Sequence, residues 1–531
     1  MSVPRTSVRV NVPGRSTFDK SFKNILTGKV GVLVPLVNKY VMPGARGSLK
    51  LSLSASLPPL ASDTFMRADL KVEAFLVPYR LLYGGFESWL TGKQLRFKPS
   101  SGTPSNVRAE LPVLRVGDGT AAGMATALSY MGPGTLADYL GLRIDPSNVP
   151  ASNQQNFNIF PFLAYHRIWD DWYRNPRVSQ PLFTPSVANS VIGLSQLPYW
   201  SSDSVTPFDV RNQFDNNQYL SQLHLRNYGA DYFTIAQPNA QFGGPQSVTV
   251  SSNAFTIQAL RQANSIQQWA ERSGLGSPRL QDYVRAHFGA DLASGVAQRS
   301  ILLGSASYPV YSKGVEAQAG VTATNNPFTS VGAQYGRASA GGSDFVCRFE
   351  CNEPSQLMVL VSLVPEANYS HGVDRQFFNL CVAGSQVDLP DPILENTGNE
   401  PIFASELTGA IYGTGVSGPI FGYVPKNTHY KTSRNEVHGL LRAGQSLASF
   451  VAQRVFTGAP PSITTTFLQV NATDLDNVTA VTSELSQFGY WLDSFIDLKV
   501  SEPLVESAIP SLQDPAYEHG HGVVLNQKTE L

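Results

Sequence analysis

The stretch Ser48–Leu57, SLKLSLSASL, alternates without a break: Leu49, Leu51 and Leu53 fall on one side, Lys50, Ser52 and Ser54 on the other. A period of two puts successive side chains on opposite faces, so this is a strand with one face in a core and the other toward water. Residues 68–78, ADLKVEAFLVP, repeat the pattern, with Leu70, Val72 and Ala74 against Asp69, Lys71 and Glu73, and stop at Pro78. Half-buried alternation is the mark of antiparallel sheets.

The same reading extends along the chain. Residues 344–366, DFVCRFECNEPSQLMVLVSLVPE, make two strands about a turn at Asn352–Ser355, the second apolar enough to be buried on both faces. Residues 418–441, GPIFGYVPKNTHYKTSRNEVHGLL, read as another strand pair. Between them lie Gly-, Pro-, Ser- and Asn-rich stretches at 93–155, 176–253, 313–343 and 383–418. Helices are few. GTLADYLGL is a short one closed by Gly141, and an insert at about 254–289 holds two more. In that insert Ala259, Ala263, Ile266 and Ala270 share a stripe. The second helix has Ser277 as N-cap, Pro278 in its first turn and Gly289 as its stop. Its Leu280, Tyr283, Val284, His287 and Phe288 recur with the helical period and predict one buried face. Structureless loops this long count against a solitary compact domain. They fit a subunit whose loops pack on neighbouring copies. The expected architecture is mainly β, a β-sandwich with long inter-strand loops and a few inserted helices.

Composition agrees. The chain has 531 residues, 42% hydrophobic and only 15% charged, where about a quarter charged is usual. A low charge count on a large chain points to surface that meets other protein. The net charge of −1 is unevenly spread, because the first fifty residues hold nine Lys or Arg and one acid, Asp19. Residues 1–45, with Pro4, Pro13, Pro35 and Pro43, are expected to form an extended basic arm ahead of a main domain at 46–500 and a tail at 501–531. In the arm Arg5, Arg9, Arg15, Lys20, Lys23 and Lys29 have no helical spacing, which disfavours an amphipathic membrane helix and suits an extended segment following irregular phosphates. Three cysteines, Cys347, Cys351 and Cys381, are too few and too odd in number for a disulfide framework. Neither they nor His519 and His521 carry metal-site spacing, so no metal or cofactor is expected. No signal-peptide pattern is read, and the longest apolar runs, VGVLVPLV and LMVLVSLV, fall far short of a membrane-spanning helix.

The densest chemistry lies in Ala164–Asn175, AYHRIWDDWYRN. As a helix it lines up Phe162, Tyr165, Trp169 and Trp172 as an aromatic stripe for a core. Adjacent Asp170 and Asp171 point about 100° apart and do not face one another across a substrate as a glycosidase pair must. Their spacing instead favours Arg167–Asp171 and Asp170–Arg174 pairs, with His166–Asp170 at the same interval. If those pairs are exposed, Asp→Asn changes cost about 0.5 kcal/mol each. No nucleophile elbow, phosphate-binding loop, dinucleotide fingerprint or zinc-protease motif is present. Along the chain, aromatics are not interleaved with a basic stripe of the kind that stacks RNA bases. An enzyme is not expected.

Seven segments in order then resemble one family, the major capsid proteins of the Microviridae, particularly the gokushovirus-like branch. They are ADLKVEAFLVPYRLLYGGFESWL, GTLADYLGL, FPFLAYHRIWDDWYRN, YGADYFTIAQPNAQ, FTIQALRQANSIQQWAERSGLGSPRLQDYVRAHFG, SQLMVLVSLVPEANYSHGVDRQF and IFGYVPKNTHYKTSRNEVHGLLR, spanning roughly residues 65 to 480. The resemblance implies a viral jelly-roll β-sandwich that self-assembles into an icosahedral shell around single-stranded DNA. It implies an internal scaffolding protein, a pilot protein and a small DNA-packing protein as partners, and a place in the virion after assembly in the host cytoplasm. Coats of this branch often carry a large insertion that builds a surface protrusion; the candidate region in this chain, 183–225, is short and polar, which leaves a protrusion and its receptor open. The competing reading is a secreted β-sandwich that binds or cleaves glycans, disfavoured by the basic arm.

Overall fold

The computed structural model describes residues 15–179, 221–239, 257–316 and 334–504, apart from internal stretches of which 117–130 is the longest. Strands β1 (Ser16–Asp19), β2 (Phe22–Gly28), β3 (Val34–Val41), β4 (Arg46–Ser56) and β5 (Ala68–Pro78) follow one another directly. Two short antiparallel pairs come next, β6 (Gln94–Phe97) with β7 (Ser105–Arg108), and β8 (Val113–Val116) with β9 (Gln155–Asn158). Then come β10 (Ile301–Pro309), β11 (Tyr311–Glu316), β12 (Gln334–Glu350), β13 (Ser355–Pro365), the pair β14 (Asn399–Phe403) and β15 (Ile420–Pro425), and β16 (Tyr490–Glu502).

Two sheets dominate, and every strand pair in them is antiparallel. One runs β16–β4–β12–β11, with β1 and β2 pairing successive halves of β16 at the other edge; the second runs β10–β5–β13–β3. Counting β1 with β2 as one and leaving edge strand β11 aside, eight strands alternate in chain order as 1-8-3-6 and 2-7-4-5. The first half of the chain thus pairs in reverse with the second, like a ribbon wrapped over itself. That is the strand order of a jelly roll, eight strands in two sheets built from two Greek keys.

The alternation in β4 orients the sandwich. Leu49, Leu51, Leu53 and Ala55 are buried between the sheets, where they meet Leu70, Val72 and Ala74 of β5 and Leu492, Ile496 and Leu498 of β16. Strand β13 is buried at all eleven positions. Its Leu357, Val359, Val361 and Leu363 enter this core, while Met358 and Leu360 point the other way into a second apolar layer. Phe75 and Val77 of β5 join that layer, which explains why β5 stops alternating after Ala74.

The expected arm is corrected. Residues 1–14 lie outside the described residues, but from Ser16 onward the segment is built into both sheets. Basic composition hid the alternation in β2, where Leu26 and Gly28 are buried and Lys23, Ile25 and Thr27 are exposed. Pro35 sits beside a register shift on edge strand β3, where a missing N–H breaks no ladder. The tail boundary moves as well, since β16 runs to Glu502.

Other readings are refined. The supposed loop 313–343 contains most of β11 and the first half of β12. Of the second strand pair, only β15 is a strand; Asn427, at φ 63°, turns it into a short helix at Thr428–Lys431. The loops also build a small core of their own, in which Phe233, Ile402, Leu407, Phe421, Val424 and Phe467 pack together. Helices Ile257–Leu275 and Leu280–Phe288 form, and Gly289 ends the second at φ 67°. That helix starts after Arg279 rather than Ser277, and its apolar face is not buried in the single chain: Leu280, Tyr283 and Phe288 are exposed.

Candidate functional site

The second apolar layer is built from the aspartate-rich motif. Phe160–Ile168 is an α-helix that continues as a π-helical turn at Trp169–Tyr173. Phe162, Tyr165 and Trp169 are buried against Leu33, Phe75, Met358 and Leu360 on the outward face of the β3-containing sheet. The wider π turn rotates Trp172 to the margin. There it is half-buried, donates from Nε1 to the Ser300 carbonyl at 3.1 Å, and lies under the Arg299 guanidinium at 3.7 Å.

A closed polar circuit pins this brace to the sandwich. The Tyr165 hydroxyl donates to Leu33 O at 2.9 Å and accepts from the His224 N–H at 2.8 Å, while the Leu33 N–H donates to His224 O at 2.9 Å. The His224 ring stacks on Trp169 at 4.2 Å and shares a hydrogen bond of 2.8 Å with His166. His166 therefore pairs with a histidine 58 residues away, not with Asp170 as its spacing proposed. Nothing in the sequence around His224 signals this. Glu73 was equally hidden. It takes both Arg226 nitrogens, at 2.6 and 3.1 Å, and the Tyr173 hydroxyl.

Burial, with His166 alongside, holds the His224 imidazole well below its ordinary range. Its folded value lies under the unfolded one near 6.5. The contribution of the neutral His224 ring is therefore complete above about pH 6.5, and it shrinks as pH falls from there toward the folded value. Urea titrations of unassembled subunits should show stability falling below pH 6.5 by up to about 1.4 kcal/mol per pH unit, and His224→Gln should remove most of that slope. An identical pH profile in the variant would locate the acid sensitivity elsewhere.

Both predicted i,i+4 pairs form, Arg167–Asp171 at 3.0 Å and Arg174–Asp170. Contrary to expectation they are buried, each Asp being about 7% exposed. Asp171 Oδ2 also accepts from the Ser300 N–H and hydroxyl, both at 2.8 Å. Both carboxylates are thus bonded to their own chain.

The basic residues separate. Arg5 and Arg9 lie outside the described residues. Arg15 donates to the carbonyls of Gly44 and Ser501. Lys20 bridges the buried Glu502 at 2.7 Å, Lys23 bridges exposed Asp493 at 2.9 Å, and Lys29 is exposed. A polar cavity of about 220 Å³ is lined by Tyr232, Arg375, Glu406, His429 and Arg434. Its Glu406 accepts from Arg375, Tyr232 and the Phe403 N–H at 2.9 to 3.0 Å, a structural network joining loops. Cys347 and Cys351 are buried in the sandwich core, and burial pushes the Cys347 thiol up to about 11, the opposite of a reactive thiolate. Cys381, His519 and His521 lie outside the described residues. Among the described residues no group of three His, Cys, Asp or Glu is placed to hold a metal, and no helix is long and apolar enough to cross a membrane.

A jelly-roll sandwich braced on one side, with its conspicuous acids tied into internal bridges, defines a structural subunit of the shell-building class. The chain belongs to the capsid protein (F protein) family, whose model matches residues 6–254 and 249–512. It is similar to capsid protein VP1 of Chlamydia phage 1, 23% identical with 96% of this chain and 97% of the relative covered. VP1 of Spiroplasma virus 4 is 23% identical over 81% of this chain and 82% of its own length. VP1 of Bdellovibrio phage phiMH2K is 22% identical over 86% and 88%. The role is that of a phage capsid protein, and the glycan-binding alternative has no support.

Proposed function

We propose that this chain is the main subunit of a closed icosahedral shell enclosing a single-stranded DNA genome, assembled in the host cytoplasm. The observation that carries the reading is the family match over nearly the whole chain, joined to surfaces that a lone subunit leaves bare. On the two inserted helices Ile257, Leu260, Trp269, Tyr283 and Phe288 are exposed together, more than a free monomer tolerates without a partner. An internal scaffolding protein, a pilot protein and a small DNA-packing protein are the proposed helpers, and catalysis has no part. Electron microscopy of expressed protein, with scaffolding protein supplied where needed, should show hollow shells; only small species under all conditions would count against the reading.

The basic N-terminal residues are proposed to meet the genome through its phosphates. Six such contacts would give a log–log salt slope near −4, from about −0.7 per contact on a single strand. With Arg15, Lys20 and Lys23 engaged within the subunit, the test falls on Arg5, Arg9 and Lys29. Neutralising those three in full-length subunits should flatten the slope by about 2 and lower packaged DNA while shells still form. An unchanged slope with normal DNA content would assign the segment to contacts between subunits.

A further inference from the structure

The two outward faces of the sandwich differ. The brace helix covers one of them. On the other, formed by β16, β4, β12 and β11, large aromatic side chains stand in the open: Trp491 is 43% exposed, Phe495 51% and Phe345 49%. Register places them on a shared surface. Phe495 lies beside Ser52 of β4, which lies beside Ser343 of β12; Trp491 lies beside Ser56, and Phe345 beside Lys50. The rings therefore rise from a floor of serines. Outward charges along this half of the sheet are mostly cationic: Lys50, Lys313, Arg337 and Arg348. Nearby acids are partly engaged, Asp493 by Lys23 at 2.9 Å, Glu350 by Arg46 at 2.9 Å, and Asp497 by the Ser21 hydroxyl at 3.3 Å. Arg348 already sits over the Phe345 ring at 5.5 Å. The chain shows no linear interleaving of aromatic and basic residues; pairing of four strands creates it.

We propose that this sheet face is a stacking platform for the bases of single-stranded DNA. The proposal rests on the genome-enclosing reading and gives it a site beyond the N-terminal cations. Exposed rings at the centre of a sheet suit a partner with flat apolar faces, and the surrounding cations suit one that is also a polyanion. A single strand has both, because its bases are free to lie on the rings while its phosphates follow the lysines and arginines. A duplex offers phosphates alone, since its bases are already stacked.

The test uses full-length unassembled subunits and two fluorescent probes of equal length, oligo-dT and an abasic deoxyribose-phosphate strand. Wild type should bind oligo-dT more tightly than the abasic strand. Trp491→Ala, Phe495→Ala and Phe345→Ala should each weaken oligo-dT binding about tenfold and leave abasic binding unchanged. Lys50→Gln with Arg348→Gln should weaken both probes and flatten the salt slope by about 1.4. These side chains are exposed, so thermal melts of the variants should match wild type. Equal wild-type affinity for the two probes overturns the stacking platform while leaving a phosphate-bound genome standing. Ring variants that bind oligo-dT normally but no longer assemble make the face a contact between subunits, which also overturns the proposal. Failure of wild type to bind either probe removes the genome-enclosing reading itself.

Discussion

Trp169→Ala should cost the subunit about 3–5 kcal/mol, the usual range for emptying a buried large aromatic site. Three losses coincide there. The indole is 7% exposed and fills the layer between the brace helix and the outward face of the sandwich. Its ring lies nearly parallel to His224 at 4.2 Å, so truncation strips one wall from a histidine that burial keeps neutral. Its Nε1 also donates to Leu225 O at 3.3 Å, and that carbonyl would lose a partner. Chemical denaturation of unassembled subunits measures the loss directly. Trp491→Ala, on the open sheet face, is the matched control and should leave the midpoint within about 0.5 kcal/mol of wild type. A Trp169 variant as stable as that control would mean the brace contributes nothing to folding and serves only contacts between subunits.

The contrast between these tryptophans shows what the sequence could reveal. Where one strand or helix settles the matter by its own periodicity, the reading mostly succeeds; the exception is Leu280–Phe288, whose apolar face stays exposed in the single chain. Strand β4 alternates because one of its faces is core and the other is not, and β13 is apolar throughout because a layer lies on each side of it. Gly141 and Gly289 end their helices at φ 97° and 67°, a conformation that a side chain disfavours, so the residue type itself carries the signal. The Arg167–Asp171 and Asp170–Arg174 pairs are local in the same sense.

What stayed hidden depends on distant partners. His224 earns its role only by meeting Tyr165, His166 and Trp169, all more than fifty residues away. Glu73 looks like any outward residue on a half-buried strand until Arg226 and Tyr173 close on it. The aromatic and cationic sheet face is assembled from strands far apart in the chain: Lys23 and Phe495, 472 positions apart, are direct partners in the register. The basic segment misled for a related reason. Its charges are real, but only two positions of β2 are fully buried, Leu26 and Gly28, and Gly28 has no side chain to mark the inward face.

Burial of the aspartates changes the size of a mutational effect more than any other finding. On the expectation of exposed helix pairs, Asp171→Asn would cost about 0.5 kcal/mol. In the folded chain one oxygen of Asp171 accepts from Arg167 Nε at 3.0 Å and from both the N–H and the hydroxyl of Ser300 at 2.8 Å. The surroundings are rich in cations: Arg279 donates to the carbonyls of Asp170 and Arg174, and Arg299 to that of Asp171. Two guanidiniums therefore bridge the two carboxylates, and two more bond the backbone carbonyls beside them, at the junction of the π turn with residues 279–300. Removing one negative charge leaves cations in a site that water only partly reaches, and breaking a buried pair from one side costs about 3–5 kcal/mol. We expect about 3 kcal/mol for Asp171→Asn, with Asp170→Asn similar. Asp493→Asn is the exposed control. Its bridge to Lys23 joins side chains 53% and 56% exposed, where the loss should stay within about 1 kcal/mol. Urea midpoints of the three variants decide the point. Should Asp171→Asn unfold alongside Asp493→Asn, the cluster would be held by packing and backbone contacts, and its charges would be incidental to the brace.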